Sequence, residues 1–250
     1  YSKIGVSVSA DRSSIPFTSS WANNNKTMFY TKKDEVTLRA FQIYRHHLGD
    51  KNEDKLVFQA GDETFGVAVY KSKSRKYIII ACYSTLTNEY HLLNADDAHG
   101  NFRVFQPRIR GLEYSISHYK NQFYMLTNKD KATNFKLMVT DEKMTTVDRW
   151  SEVVPHRPDV LLEGIDIFKN YLVLSERSNG LNHIRIKRWD GSEDYYLPFN
   201  NETYTCYTGT NVEFDTEILR YGYNSLTTPA SVIDFNMRTQ EKVVKKQQEV

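Results

Sequence analysis

The chain is poor in cysteine, proline and glycine, and each shortage excludes a class of protein. Its 250 residues include 2 cysteines, 6 prolines and 11 glycines. Two cysteines cannot build the disulfide framework that holds many small secreted domains together. With 40% apolar residues and so little proline and glycine, the chain is neither collagen-like nor of low complexity. The composition predicts a globular protein that is long enough to bury a sizeable core as one domain.

Strong net charge and long apolar runs are also missing. The 33 basic and 31 acidic residues leave a net charge of +2, so no field over the whole chain would gather nucleic acid or an anionic membrane. No run approaches the ~18 apolar residues of a membrane-spanning helix, and the first residues lack the pattern of a signal peptide. These absences predict a cytoplasmic protein without nucleic-acid or membrane partners, although an export signal outside this chain is not excluded.

Motifs for catalysis and cofactor binding are absent as well. Neither the G-x-S-x-G serine elbow nor a glycine-rich phosphate loop occurs. Cys82 and Cys206 lie outside any Cys/His ligand spacing, which predicts two free, buried thiols. His46 and His47 are neighbours, and neighbours on a strand face opposite sides, which disfavours a shared metal. We therefore expect no catalytic, cofactor-binding or metal-binding residue in this chain.

The strongest positive feature is a unit that recurs every 46 to 51 residues. Each unit opens with a short apolar stretch, a polar turn and a second, stronger apolar stretch. A loop rich in Lys, Asn, Thr and Ser follows, and then come a third strand and a short closing strand. Four short antiparallel strands in each repeat indicate an all-β protein built as a β-propeller. The openings start at Trp21, Val67, Tyr114, Ile165 and Asn211.

This period predicts about five four-stranded blades and a partial one. The first 20 residues contain only two strands, within Ile4–Phe17, and form the predicted partial blade. A propeller without its full number of blades is expected either to stay an open arc or to close through a second copy of the chain. The predicted complete blades span residues 21–66, 67–113, 114–164, 165–210 and 211–250.

Acidic residues near the starts of units are candidates for a polar site. Glu113 and Glu163 are predicted to be polar residues of the central channel or of a domain interface. With Asp96 and Asp166 they also offer the paired carboxylates that a five-bladed glycoside hydrolase would need. Inner strands of propellers commonly carry such carboxylates as structural hydrogen-bond partners, so the structural interpretation is favoured.

Several strings along the chain resemble one family when they are taken together and in order. The most specific is LRYGYNSLTTP at Leu219–Pro229, which is followed by VIDF at Val232–Phe235. Further strings are FQIYRHH at 41–47, EYSISHYKNQFY at 113–124, Asn134-Phe135 with Leu137, LEG at 162–164, and Glu176-Arg177 with Gly180-Leu181. Over nearly the whole chain they resemble the propeller of the oligopeptidase B (protease II) branch of the prolyl oligopeptidase family of serine peptidases.

The resemblance implies a noncatalytic part of a peptidase. Members of this family carry a seven-bladed propeller as a lid over an α/β-hydrolase domain, whose Ser-Asp-His triad cleaves short peptides, in this branch after Lys or Arg. It implies that the propeller excludes folded proteins, and that its partners are the hydrolase domain of the same polypeptide and short peptides. The family's triad lies C-terminal to the part that matches this chain, so no catalytic residue can be assigned here.

A stand-alone interaction scaffold of the kelch or WD type is the main alternative. The Gly-His and Trp-Asp signatures of WD repeats do not recur, however, because Trp189-Asp190 is a single occurrence. A five-bladed glycoside hydrolase is the less favoured alternative, and it would require the carboxylates named above to converge.

Overall fold

The computed structural model describes residues 18–249, whose strands form five four-stranded antiparallel sheets. In each sheet the strands lie side by side in the order in which they occur along the chain. The predicted all-β architecture of five four-stranded repeats is therefore confirmed. The partial blade predicted within Ile4–Phe17 lies outside the described residues. No helix in the described part of the chain is both long and apolar enough to cross a bilayer.

Two compact units make up the chain, and they divide between Arg108 and Ile109. The first unit contains two sheets. The first sheet consists of β1 (Ser19–Trp21), β2 (Thr27–Lys33), β3 (Ala40–His47) and β4 (Lys55–Gln59). The second sheet consists of β5 (Gly66–Lys71), β6 (Tyr77–Tyr83), β7 (Asn88–Asn94) and β8 (Arg103–Val104).

The second unit contains three sheets. The third sheet consists of β9 (Tyr114–Tyr119), β10 (Gln122–Thr127), β11 (Lys136–Asp141) and β12 (Ser151–Val154). The fourth consists of β13 (Leu161–Ile167), β14 (Tyr171–Ser178), β15 (Leu181–Arg188) and β16 (Asp194–Tyr196). The fifth consists of β17 (Tyr204–Thr208), β18 (Ile218–Ser225), β19 (Thr228–Asn236) and β20 (Lys242–Gln247).

The sequence repeat reappears as a repeated turn between the first two strands of a sheet. In the first sheet the Ala22 N–H donates to the Thr27 carbonyl at 2.8 Å, and in the second the Ser72 N–H donates to the Tyr77 carbonyl at 2.8 Å. Asn25 and Arg75 occupy equivalent left-handed positions in the two turns, with φ of 54° and 61°. In these two predicted openings the polar stretch is therefore a tight turn that reverses the chain.

The core of the first unit lies between its two sheets. Phe29 and Ile43 from the first sheet pack in one cluster with Val67, Ile78 and Ile80 from the second, and all five are fully buried. Burying each of these side chains contributes about 1.5–3 kcal/mol relative to leaving it exposed. This packing holds the two sheets of the unit together.

In the second unit, the packing of strand β14 on both faces explains why its sequence is continuously apolar. Tyr171 and Val173 pack in a cluster with the fifth sheet, whereas Leu172 and Leu174 pack in a cluster with the third sheet. Because side chains alternate along a strand, the two pairs lie on opposite faces. The fourth sheet is thus covered on both faces, and a strand buried on both faces reads as an unbroken apolar run.

Two predicted repeat openings are wrong in position. The fourth sheet begins at Leu161, four residues before Ile165, because a β-bulge at Leu162/Gly164 interrupts the alternation that marks a strand. The fifth sheet begins with Tyr204–Thr208, N-terminal to Asn211, so the predicted opening at Asn211 is a connecting loop.

Asn211 gives the physical reason for the second error. Its side-chain Oδ1 accepts a hydrogen bond from the Arg220 N–H at 2.8 Å, and its Nδ2 donates to the Arg220 carbonyl at 3.1 Å. One side chain thereby bonds both backbone groups of Arg220, as a neighbouring strand would, and the Arg220 carbonyl also accepts from the Gly209 N–H at 2.8 Å. The pairing partner of β18 in the ladder is the earlier strand β17.

Candidate functional site

Glu113 lies directly before β9 and is tied to Asn128, directly after β10. The Glu113 N–H donates to Asn128 Oδ1 at 2.9 Å, and Glu113 Oε1 accepts from Asn128 Nδ2 at 3.1 Å. The carbonyl of Glu113 also accepts from the Thr127 hydroxyl at 2.9 Å. These bonds extend the β9–β10 ladder beyond its last pair, Tyr114 and Thr127. Glu113 is half-buried, and its carboxylate helps to close one end of this hairpin.

Glu163 occupies the β-bulge on β13, where the register with β14 shifts between Leu162 and Gly164. A bulge leaves one residue out of the ladder and changes the direction of its side chain. Glu163 Oε1 accepts from Arg177 Nε at 2.7 Å, and Oε2 accepts from Asn182 Nδ2 at 3.0 Å. Its side chain is 28% exposed, so this carboxylate is accessible to solvent although it is already paired.

Three of the carboxylates considered for glycoside hydrolysis have hydrogen-bond partners close by in their own part of the fold. Asp96 accepts from Asn23 Nδ2 at 2.7 Å, whereas Glu113 and Glu163 have the partners described above. The geometry therefore favours the structural role of Glu113 and Glu163 that the sequence suggested.

The histidine pair also has separate partners. His46 Nδ1 lies 2.8 Å from Asp54 Oδ1, and His47 Nδ1 lies 3.1 Å from the hydroxyl of Thr27. His118 contacts a carboxylate that its sequence spacing did not reveal, since its Nε2 lies 3.0 Å from Oε2 of buried Glu142.

Glu176 is a buried carboxylate that sequence reasoning missed. Its side chain is fully buried on β14. Oε2 accepts from the Tyr196 hydroxyl at 2.7 Å, Oε1 makes a very short contact with Arg157 Nη2, and Arg185 Nη1 lies 3.8 Å from Oε1. Arg157 stands in the connection between β12 and β13, so Glu176 joins this connection to the outer strand β16.

A signal for Glu176 was present in the sequence. It follows Leu172 and Leu174 at the same spacing of two, so it continues one buried face of β14. A carboxylate on a buried face requires a cationic or hydrogen-bonding partner, because an unpaired buried charge is strongly destabilising.

Cys82, Glu89 and His91 form a second cluster that the sequence did not reveal. Cys82 on β6 is directly opposite Glu89 on β7, and His91 is two residues further on the same face. His91 Nε2 lies 2.9 Å from Glu89 Oε1, and Arg108 Nε lies 3.3 Å from the same oxygen. Burial, with a smaller contribution from the Glu89 charge, raises the pKa of the Cys82 thiol to about 12.

Both cysteines are free and buried, as predicted. The pKa of Cys206 is also raised to about 12, mainly by burial and secondarily by the negative charge of Glu163. Each thiol is therefore protonated at neutral pH and a weak nucleophile.

A family model described as the N-terminal β-propeller domain of prolyl oligopeptidase matches residues 11–248. The chain belongs to this family, and the predicted fold and family are confirmed.

Individual relatives place the chain more closely. It is 36% identical over 231 residues to dipeptidyl aminopeptidase BI of Pseudoxanthomonas mexicana, covering 92% of this chain and 32% of that protein. It is 30% identical over 223 residues to protease 2 of Moraxella lacunata, covering 89% of this chain and 31% of that protein. The chain thus spans about a third of the length of these relatives.

A solved structure gives the same result. Oligopeptidase B from Trypanosoma brucei, in its closed form with covalently bound antipain, matches with a TM-score of 0.86 and 28% identity. The match covers 93% of this chain and 34% of that structure.

Proposed function

We propose that this chain is the noncatalytic propeller portion of a serine oligopeptidase that hydrolyses short peptides after Lys or Arg in the cytoplasm. The observation that supports it is the similarity to protease 2 and to oligopeptidase B over about nine-tenths of this chain. Those proteins are about three times as long as the matched region, which leaves room for an α/β-hydrolase domain in the same polypeptide. In this proposal the triad and the pocket for the basic residue belong to that domain.

The contribution of the propeller is a steric filter and a domain partner. A filter must keep its shape, and the fourth sheet has the required property because it is buried on both faces. The filter admits short peptides and excludes folded proteins, and relative motion of the two domains opens and closes the active site. The five four-stranded sheets serve as blades of this propeller.

Glu113 and Glu163 are the proposed polar residues of the channel or of the domain interface. Glu163 suits this role better, because it lies on a bulge, is 28% exposed and has Arg177, itself 53% exposed, as its partner. An exposed ion pair of this kind is easily exchanged for a new partner, since its net stabilisation is only about 0–1 kcal/mol. A cationic peptide or a basic side chain of the hydrolase domain is the expected new partner.

One observation favours a different reaction for the parent enzyme. Dipeptidyl aminopeptidase BI is more similar in sequence to this chain than protease 2 is, at 36% against 30% identity. The alternative proposal is therefore that the parent enzyme removes dipeptides from the amino end of a peptide.

The two proposals predict different products from one substrate. The test uses the intact protein, a short peptide with an internal Arg and a free amino end, and mass spectrometry of the products. Cleavage directly after Arg supports the oligopeptidase proposal, and stepwise loss of dipeptides supports the alternative. A covalent serine probe should abolish either reaction. If the intact protein neither cleaves peptides nor reacts with the probe, both proposals are wrong and a binding scaffold becomes the better account.

A further inference from the structure

Three side chains on β6 and β7 bring the ligand atoms of a metal site together. Cys82 and Glu89 are opposite each other in the ladder, and His91 follows Glu89 by two residues, so all three share one face of the second sheet. The Cys82 sulfur, a Glu89 oxygen and a His91 nitrogen lie within 4.8 Å of one another. Tetrahedral coordination with usual bond lengths separates such atoms by about 3.3–3.8 Å, so small movements would suffice.

Burial also suits a metal site of this composition. Cys82 is fully buried and His91 is 9% exposed, and the His91 ring packs against Phe58 with centroids 4.6 Å apart. This contact restricts the orientation of the His91 imidazole in the metal-free protein. A thiolate, an imidazole and a carboxylate form a donor set that suits Zn²⁺ and its analogue Co²⁺.

Arg108 is the cation that now lies beside these ligands. Its guanidinium contacts Glu89 Oε1 at 3.3 Å and hydrogen-bonds the Cys82 sulfur. Arg108 has an alternative carboxylate, because Asp62 Oδ2 lies 3.7 Å from its Nη1. It also lies 3.8 Å from the centre of the Phe65 ring, and its side chain is 29% exposed. Arg108 can therefore leave Glu89 and keep favourable contacts.

We propose that Cys82, Glu89 and His91 bind a thiophilic divalent cation such as Zn²⁺, and that Arg108 occupies its place when the metal is absent. On binding, the Cys82 S–H bond breaks, the proton goes to solvent and a sulfur–metal bond forms. Glu89 exchanges Arg108 for the metal. The His91 Nε2 proton, which is donated to Glu89 before binding, moves to Nδ1 as the imidazole changes tautomer, so that Nε2 offers its lone pair to the metal. No electron is transferred.

The exchange conserves charge in the buried site. Before binding, the Glu89 carboxylate is balanced by Arg108, and the thiol is neutral. After binding, the thiolate and the carboxylate balance the two charges of the metal, and Arg108 pairs with Asp62.

The experiment is a Co²⁺ titration of the intact, untagged protein after chelator treatment, followed by absorption spectroscopy. We expect one Co²⁺ per chain with a thiolate-to-cobalt charge-transfer band. Cys82→Ser should abolish the band, and His91→Gln should weaken binding at least about tenfold. Cys206→Ser is the matched control, because Cys206 is also buried but donates to the Asn182 carbonyl, and it should leave the band unchanged.

Arg108→Met distinguishes a metal site from a purely structural cluster. Removing the competing cation should tighten Co²⁺ binding about tenfold or more, which is the opposite of the effect of losing a ligand. Circular dichroism of each variant shows that it is folded, and Co²⁺ should raise the melting temperature of the wild type but not of Cys82→Ser. The proposal is overturned if the folded wild type gives no band, if the band survives in Cys82→Ser, or if Arg108→Met binds no more tightly.

Discussion

The ring of Tyr207 lies directly over Gly222, its cross-strand partner on β18. A methyl group at position 222 would stand 2.3 Å from Tyr207 Cζ, far inside van der Waals contact. Gly66 and Tyr83 repeat the arrangement in the second sheet, where the corresponding distance to the ring is 3.0 Å. In both pairs an aromatic ring covers backbone that a glycine leaves bare.

Gly222→Ala should therefore destabilise the protein by about 1–3 kcal/mol, because the ring of Tyr207 must move away. Urea denaturation measures the loss. The cost of Gly222→Ala should shrink when Tyr207 is already Ala, since the clash is then absent. Gly61→Ala is the control and should be close to neutral, because no atom lies within 4 Å of the added methyl group. Equal costs in both Tyr207 backgrounds would contradict this explanation.

Glu176→Ala should cost about 3–5 kcal/mol, because it leaves Arg157 without its buried partner. The double variant with Arg157→Met should recover part of this loss, since neither charge then remains unpaired. Glu163→Gln is the matched comparison and should cost under about 1 kcal/mol, because its ion pair is exposed. The account fails if the Glu176 and Glu163 variants are equally stable in urea denaturation.

Tyr221 should make stability depend on alkaline pH. Burial, with smaller effects of Cys206 and Tyr223, raises its pKa to about 12 in the folded protein. An unfolded tyrosine has a pKa of about 10, so the unfolded chain loses the proton first as pH rises. The stabilisation that comes from keeping Tyr221 protonated in the folded protein is fully present below about pH 10 and is lost between about pH 10 and pH 12. Urea denaturation should show a shallower alkaline decline for Tyr221→Phe, and an unchanged slope would refute the assignment.

Much of the fold follows from local patterns that can be recognised in the sequence. The paired turns at Asn25 and Arg75 and the unbroken apolar run of β14 are visible in the residues alone. The predicted starts of the fourth and fifth sheets differ from the observed β13 and β17 for physical reasons. A bulge at Leu162/Gly164 hides one strand start, and Asn211 imitates strand pairing by bonding both backbone groups of Arg220.

The clusters of polar side chains were harder to predict than the strands. Cys82 and Glu89 meet only because β6 and β7 pair in one register, and a slip of one residue would place them on opposite faces. Glu176 contacts Arg157, which lies in the connection between β12 and β13. The sequence does not specify the path of that connection. Contacts of this kind depend on tertiary packing, whereas the repeat depends on local periodicity.

The proposed filter is tested most directly by comparing one cleavage sequence in two settings. An Arg-containing peptide is given to the intact protein free in solution and, in a second assay, within a rigid loop of a stable folded protein. The account predicts rapid cleavage of the free peptide and no detectable cleavage of the folded substrate. Cleavage of both at similar kcat/KM would contradict the proposal that this propeller excludes folded proteins.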